Sequence, residues 1–219
     1  MISTSQVVEE LISRKPYLEE VISQRIVNYS ALARNIKPEI ERKLLKKVQN
    51  GAIVMALKRL NRRLQNSNRQ RSNVDVLKEL GDITIRSSLI DLTYSNSITI
   101  TTAQQKIMNA FSLRKDIFLT ISHGINEVTI ITNTYAEKEI KKVFKNEKLV
   151  SQFGNLSSIT IRLKEETTHT PGVYYSILKL LAWENINIVE VISTYTELTI
   201  ILERKDIDRA FTLLKATND

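Results

Sequence analysis

Residues Thr170 to Thr194 read TPGVYYSILKLLAWENINIVEVIST. Pro171 and Gly172 signal a turn, Val173, Ile177, Leu180 and Leu181 then recur at helical spacing, and Ile186, Ile188 and Ile192 recur at even spacing. The stretch therefore reads as loop, helix, strand. The amides of Gly172 and Val173 fall at the start of the helix, where backbone donors have no intrahelical partner. Such a terminus suits a small carboxylate.

The neighbouring segments extend this pattern. Thr-Pro-Gly-Val, a helix, Glu-Asn-Ile-Asn-Ile, Val-Ile-Ser-Thr, Glu-Leu-Thr-Ile-Ile and a final helix at Lys205 to Leu214 follow in an order and spacing that resembles the ACT domain, most closely the regulatory ACT domains of aspartokinases, over about residues 156 to 216. The resemblance implies a ferredoxin-like β-α-β-β-α-β unit that binds amino acids or similar small effectors. It places the ligand at Thr170, Pro171, Gly172 and Val173, facing Asn187 and Ile188 across a subunit or repeat boundary. ACT units also pair side by side, so at least a homodimer is expected, in which exposed sheet edges are covered.

An internal repeat runs through this half of the chain. Ile83-Thr-Ile-Arg86 recurs as Ile159-Thr-Ile-Arg162, and Glu127-Val-Thr-Ile-Ile131 recurs as Glu197-Leu-Thr-Ile-Ile201, which suggests a first copy six residues longer than the second. An amphipathic helix follows each Glu-x-Thr-Ile-Ile. Where the second copy has Thr170 to Val173, the first has Ser97 to Thr102 with neither Pro nor Gly, so the first copy is expected to have lost or altered the site. Lys148 to Phe153 can supply the first copy with a fourth strand.

The N-terminal third has helical periodicity throughout. Short helices are expected at 5 to 14, 17 to 26 and 31 to 36, the last capped by Ser30, then a fourth opened by Pro38 and a fifth capped by Asn50. Ser-Ala-Leu-Ala-Arg-Asn-Ile and Asn-Gly-Ala-Ile-Val-Met-Ala-Leu-Lys-Arg-Leu resemble the helix pair of a helix-turn-helix or winged-helix DNA-binding domain, with the connection lengthened by residues 37 to 49. Residues 66 to 73, NSNRQRSN, contain no aliphatic or aromatic residue and read as a linker, with a short helical turn expected at Val74 to Leu80.

Charge is concentrated in this third. The net charge is +8, and between Arg34 and Arg71 twelve Lys and Arg stand against Glu39 and Glu41 alone, which leaves the rest of the chain close to neutral. A localised excess favours a polyanion, although charge runs are often only solvated faces. Lys58, Arg59, Arg62 and Arg63 would contact DNA phosphates, with Asn50, Met55 or Asn61 left to read bases.

Other chemistry is thinly represented. The chain has no cysteine, which excludes disulfides and thiolate sites, and its five glycines are too dispersed for a phosphate cradle. The Gly-rich, lysine-bearing start of an aspartokinase catalytic half has no counterpart. His123 and His169 read as turn and loop residues, and the adjacent Glu165 and Glu166, at a strand end, do not make an acid/base pair. Trp183, Tyr174 and Tyr175 read as core and interface residues. No apolar run approaches the roughly 20 residues of a membrane span, and Glu9 and Glu10 interrupt any secretory signal, so a cytoplasmic location is expected.

Together these readings give an α+β chain: a helical, helix-turn-helix-like domain at 1–65, a linker at 66–80, and two ferredoxin-like ACT repeats at 81–155 and 156–219. The expected function is an amino-acid-sensing, non-catalytic, DNA-binding regulator that needs neither metal nor cofactor. The alternative is a stand-alone regulatory module that docks on a biosynthetic enzyme. An amino-acid enzyme is the third reading.

Overall fold

A computed structural model describes residues 2–66, 80–114 and 116–216, and its contacts divide the chain into a helical unit, Met1–Val74, and a sheet unit, Asp75–Asp219. The expected linker at 66–80 lies outside the described residues except at its two ends.

The helical unit contains α1 (Thr4–Ser13), α2 (Pro16–Ser23), α3 (Tyr29–Leu44) and α4 (Asn50–Asn66). Ser3 and Gln6 form a capping box on α1, which satisfies two otherwise unpaired amides. Asn28, not Ser30, caps α3 by accepting from the Ala31 amide at 3.0 Å. The third and fourth expected helices are one helix, because α3 continues through Pro38. An interior proline costs about 3 kcal/mol, and burial of Ile36 and Ile40 on either side offsets it. Only residues 45–49 then separate α3 from α4, with Leu45 left-handed at the helix end, so the connection is much shorter than the sequence suggests. Val8, Leu11, Ile12, Ile22, Ile40, Ile53 and Leu57 fill the core between these helices.

The sheet unit runs β1 (Ile83–Ser95), α5 (Ile100–Phe111), β2 (Leu119–His123), β3 (Glu127–Asn133), α6 (Glu137–Val143), β4 (Leu149–Arg162), α7 (Val173–Trp183), β5 (Ile188–Ser193), β6 (Glu197–Glu203) and α8 (Ile207–Ala216). All strand pairs are antiparallel, in the order β2-β3-β1-β4-β6-β5. β1 and β4 are the two long central strands, and each serves both ends of the sheet. Residues 89–95 of β1 pair with β3 and with the first part of β4, while Ile83 to Arg86 pair with Ser158 to Ile161.

The register also corrects the repeat. The two Ile-Thr-Ile-Arg segments are not equivalent positions: they are neighbours in the sheet, with Ile83 opposite Ile161 and Ile85 opposite Ile159. The true counterparts are marked by two threonine pairs, Thr93 with Thr129 at 3.0 Å and Thr160 with Thr199 at 2.8 Å. Thr93 and Thr160 are 67 positions apart and Thr129 and Thr199 are 70 apart, so the second copy is the longer one over this span, by three residues. Both long strands bend at matching places, where Ser88 (φ 59°) and Asn155 (φ 57°) adopt left-handed backbone next to register shifts.

Alternation in the strands creates two faces. On one, α5 and α6 cover Ile90, Leu92 and Ile130, and α7 and α8 cover Ile159, Ile161 and Ile200. On the other, helix-free face, Leu89, Ile131, Leu156 and Ile201 form a small buried cluster joined by Phe118, Val189 and Ile192. Phe118, just before β2, and Val189 and Ile192 of β5 pack on this one cluster, although β2 and β5 are the two edge strands with four others between them. At roughly 4.8 Å per strand a flat sheet would hold those edges more than 20 Å apart, so the sheet folds over its helix-free face.

That fold brings a buried carboxyl group and a half-buried one into the same layer. Asp91 is buried beside Thr93, and desolvation raises its pKa; Glu190 is raised by burial and then by the charge of Asp91. A carboxyl with a raised folded-state pKa binds protons more tightly folded than unfolded, so its stabilising effect is complete below the unfolded value of about 4 and is lost as pH rises through the folded value. The expected result is a sheet unit whose denaturation midpoint falls as pH increases above about 4. A double change, Asp91→Asn with Glu190→Gln, should flatten that slope. Parallel pH profiles for parent and variant in urea titrations would show that the pair does not set it.

Candidate functional site

The first part of the expected site is the start of α7. After β4 the chain makes a short 3-10 turn at Glu165–His169, so Glu165 and Glu166 lie in that turn, not at a strand end. The Thr170 amide donates to the Thr167 carbonyl at 3.0 Å, and its hydroxyl donates to the Glu166 carbonyl at 3.3 Å. Gly172 then takes φ 91°, a left-handed conformation that disfavours any residue with a Cβ, and serves as N-cap without a side-chain cap bond. Its carbonyl accepts from both the amide and the hydroxyl of Ser176, which fixes the first turn. Among the described residues no backbone acceptor faces the amides of Gly172 and Val173. Thr170 is thus excluded as an amide donor, and Gly172 and Val173 remain.

Asn187 and Ile188 lie beyond the other end of the same helix. Eleven residues of α7 span about 16 Å, so within one chain the two parts of the expected site are separated by a helix length. Asn187 and Ile188 instead line a cleft of about 320 Å3 with Phe153, Asn155, Val189 and Glu203.

The corresponding helix start in the first copy is closed. The loop before α5 is only residues 96–99, and Glu147 reaches back to it, accepting from the Ser97 hydroxyl at 2.5 Å and the Thr99 hydroxyl at 2.7 Å. The Ser97 hydroxyl also accepts from the Ile100 amide at 3.1 Å. A carboxylate of the chain itself therefore sits where the second copy offers open amides.

In the helical unit α4 buries Ile53, Leu57 and Leu60 and exposes Asn50, Met55, Lys58, Arg59, Arg62 and Arg63. Asn61 is buried and donates from its amide to the Tyr29 hydroxyl at 2.8 Å, which removes it from any base-reading role. Arg63 is ion-paired with Glu9 on α1, an interaction that raises its pKa and ties it to the helix packing. Lys43, Lys37 and Lys15 also have carboxylate partners. Among the described residues Lys46, Lys47, Lys58, Arg59 and Arg62 are exposed with no carboxylate partner.

The remaining candidates resolve simply. His123 ends β2 and contacts the buried Gln104 amide through Nδ1 at 3.3 Å, while His169 is exposed. Among the described residues no group of three or more His, Asp or Glu side chains could hold a metal ion, and no helix is long and apolar enough to cross a membrane. Trp183 is 78% exposed on α7, so it is not a core residue of this chain, and Tyr174 and Tyr175 are likewise exposed.

Comparison of the whole structure with solved ones gives consistent partners. The regulatory subunit of aspartate kinase from Thermus thermophilus matches at TM-score 0.51 and 12% identity, covering 64% of this chain and 99% of the other. The sheet unit is similar in fold to aspartokinase regulatory subunits. A structure of aspartokinase alpha and beta subunits matches at TM-score 0.52 and 13% identity over 63% and 97% of the two chains. Clostridium acetobutylicum aspartate kinase matches at TM-score 0.53 and 14% identity over 64% of this chain, which spans only 35% of that enzyme's length. No protein-family model matches the sequence, and no curated protein sequence matches it.

Proposed function

We propose that the chain is a non-catalytic, effector-responsive DNA-binding regulator: two ferredoxin-like ACT repeats in the sheet unit sense an amino acid or related carboxylate, and the helix-turn-helix-like helical unit binds duplex DNA. The observation that carries this reading is the pairing of an aspartokinase-like sheet unit, with one helix start open at Gly172, and a helical unit whose α4 displays unmatched cations. The effector carboxylate would meet the Gly172 and Val173 amides. Asn187 and Ile188 of a second copy would close the site, with Thr170 and Pro171 shaping its rim. A second copy is also what the free edge of β5 and the exposed Val191 and Trp183 call for. A ligand that binds only the paired arrangement would then shift the spacing of two DNA-binding heads.

One set of measurements tests the effector site and the pairing of two copies. Sedimentation at micromolar concentration should show twice the 25.1 kDa of one chain. Calorimetric titration with the twenty amino acids should find a ligand, whose affinity falls about ten-fold or more in Gly172→Val. That substitution also strains a left-handed position by about 1 to 2 kcal/mol, so Gly172→Asn, which tolerates positive φ, serves as the folded control. A monomer, or a Gly172→Val protein that binds as the parent does, removes the proposed site.

The alternative, docking on a biosynthetic enzyme, draws on exposed apolar residues of the helical unit, Tyr17, Ile26 and Leu45, the last 90% exposed. DNA binding separates the two readings.

A further inference from the structure

The register relates the two corners of the folded sheet residue by residue. Arg86 pairs with Ser158 and Phe153 with Asp91, so Arg86 and Phe153 are counterparts. Asn133 lies opposite Leu89 as Glu203 lies opposite Leu156, and Phe118 precedes β2 as Asn187 precedes β5. In the first corner these positions satisfy one another. The Arg86 guanidinium lies over the Phe118 ring, 5.9 Å from its centroid, and the Asn133 side-chain oxygen accepts from the Phe118 amide at 2.7 Å.

The second corner carries different groups at these positions. Phe153 supplies an aromatic ring, 56% exposed; Glu203 supplies a carboxylate in place of the Asn133 amide; and Asn187 stands where Phe118 stands in the other corner. They line the cleft of about 320 Å3 at the bend made by Asn155, floored by Leu156 and Val189. A ring face and a carboxylate together favour a cation, and a planar guanidinium can stack on the first while hydrogen-bonding the second. We infer that this cleft binds a small guanidinium compound, held between the Phe153 ring and the Glu203 carboxylate, and stacked on its ring as Arg86 is on Phe118 in the first corner. The cleft shares Asn187 and Ile188 with the effector site proposed above, but Phe153 and Glu203 belong to it alone and the Gly172 and Val173 amides do not line it.

Lys205 presently contacts Glu203 at 2.7 Å, with both side chains well exposed. An exposed lysine pair of this kind is weak and is readily exchanged for a bidentate guanidinium. The competition gives the test a sign: Lys205→Ala should tighten binding.

The experiment is calorimetric titration of the full chain with L-arginine, agmatine and L-citrulline. Arginine and agmatine should bind, and citrulline, which keeps the shape but not the charge, should bind at least about ten-fold more weakly. Glu203→Gln and Phe153→Ala should each weaken arginine about ten-fold or more, and Phe153→Tyr should retain it. Gly172→Val should leave it unchanged, so failure of the effector site and failure of this cleft are read separately. The inference is overturned if citrulline matches arginine, if Glu203→Gln and Phe153→Ala bind as the parent does, or if arginine produces no saturable binding up to about 10 mM.

Discussion

Changing Lys58, Arg59 and Arg62 together to Glu is expected to abolish binding to duplex DNA while leaving both units folded. All three are exposed on α4 without a carboxylate partner among the described residues, and the buried Ile53, Leu57 and Leu60 hold the helix from its opposite side. If each cation neutralises one phosphate, its removal lowers the salt slope by about 0.9, so three account for about 2.7 in the plot of log affinity against log salt. Reversal adds repulsion, which takes the remaining affinity below detection in ordinary salt. Arg63 is left out deliberately. Its partner is Glu9 on α1, so a glutamate at 63 would place two carboxylates together and weaken the packing of α1 on α4. Fluorescence anisotropy with labelled duplex at two salt concentrations gives the readout, repeated with the effector once calorimetry has identified it. A parent chain that binds no DNA even in low salt, or a triple variant that binds as the parent does, would favour the enzyme-docking reading.

The sheet unit was legible because its pattern is redundant. Even spacing at Ile186, Ile188 and Ile192, the Pro-Gly turn and the doubled Glu-x-Thr-Ile-Ile all point to one β-α-β architecture. The same redundancy misled the alignment of the copies. Ile-Thr-Ile-Arg recurs in residues 83–86 and 159–162, which are neighbouring and not equivalent segments: Ile159 and Ile161 are buried, whereas Ile85 is exposed. A pairing register is a property of two strands, and identity between short segments does not reveal it. In the helical unit Pro38 looked like a helix start, since proline fits the first turn, yet tertiary burial of Ile36 and Ile40 carries the helix through it. At the site the left-handed need at Gly172 was visible in the Pro-Gly pair. The separation of Asn187 and Ile188 from it follows from the length of α7, which the sequence also contains. What no local pattern could show is the cleft, since Phe153, Asn187 and Glu203 meet only after β4 bends at Asn155 and β5 and β6 pair.

That bend rests on very little apolar surface, which makes Leu156→Ala the most damaging conservative change expected in the sheet unit. Leu156 is 1% exposed and belongs to the four-residue cluster with Leu89, Ile131 and Ile201 on the helix-free face. Each helix-covered core has twelve or more buried members to absorb a truncation, whereas this cluster joins both ends of the sheet with four. Removing a buried leucine side chain costs about 2.7 to 5 kcal/mol, more where the surroundings cannot collapse into the cavity. Here β1 and β4 pair on both sides of the bend, which limits such collapse, so a loss of about 3 to 4 kcal/mol is expected. Because the same layer takes Phe118 from before β2 and Val189 and Ile192 from β5, hydrogen exchange should accelerate in β2 and β5 before it does in the strands under the helices. The helical unit has its own core and should keep its protection. Ile159→Val, which removes one methylene from the larger core, is the reference, at about 0.5 to 1.5 kcal/mol. If Leu156→Ala costs no more than that reference, or if exchange rises uniformly across both units, the small cluster is not what holds the sheet folded over itself.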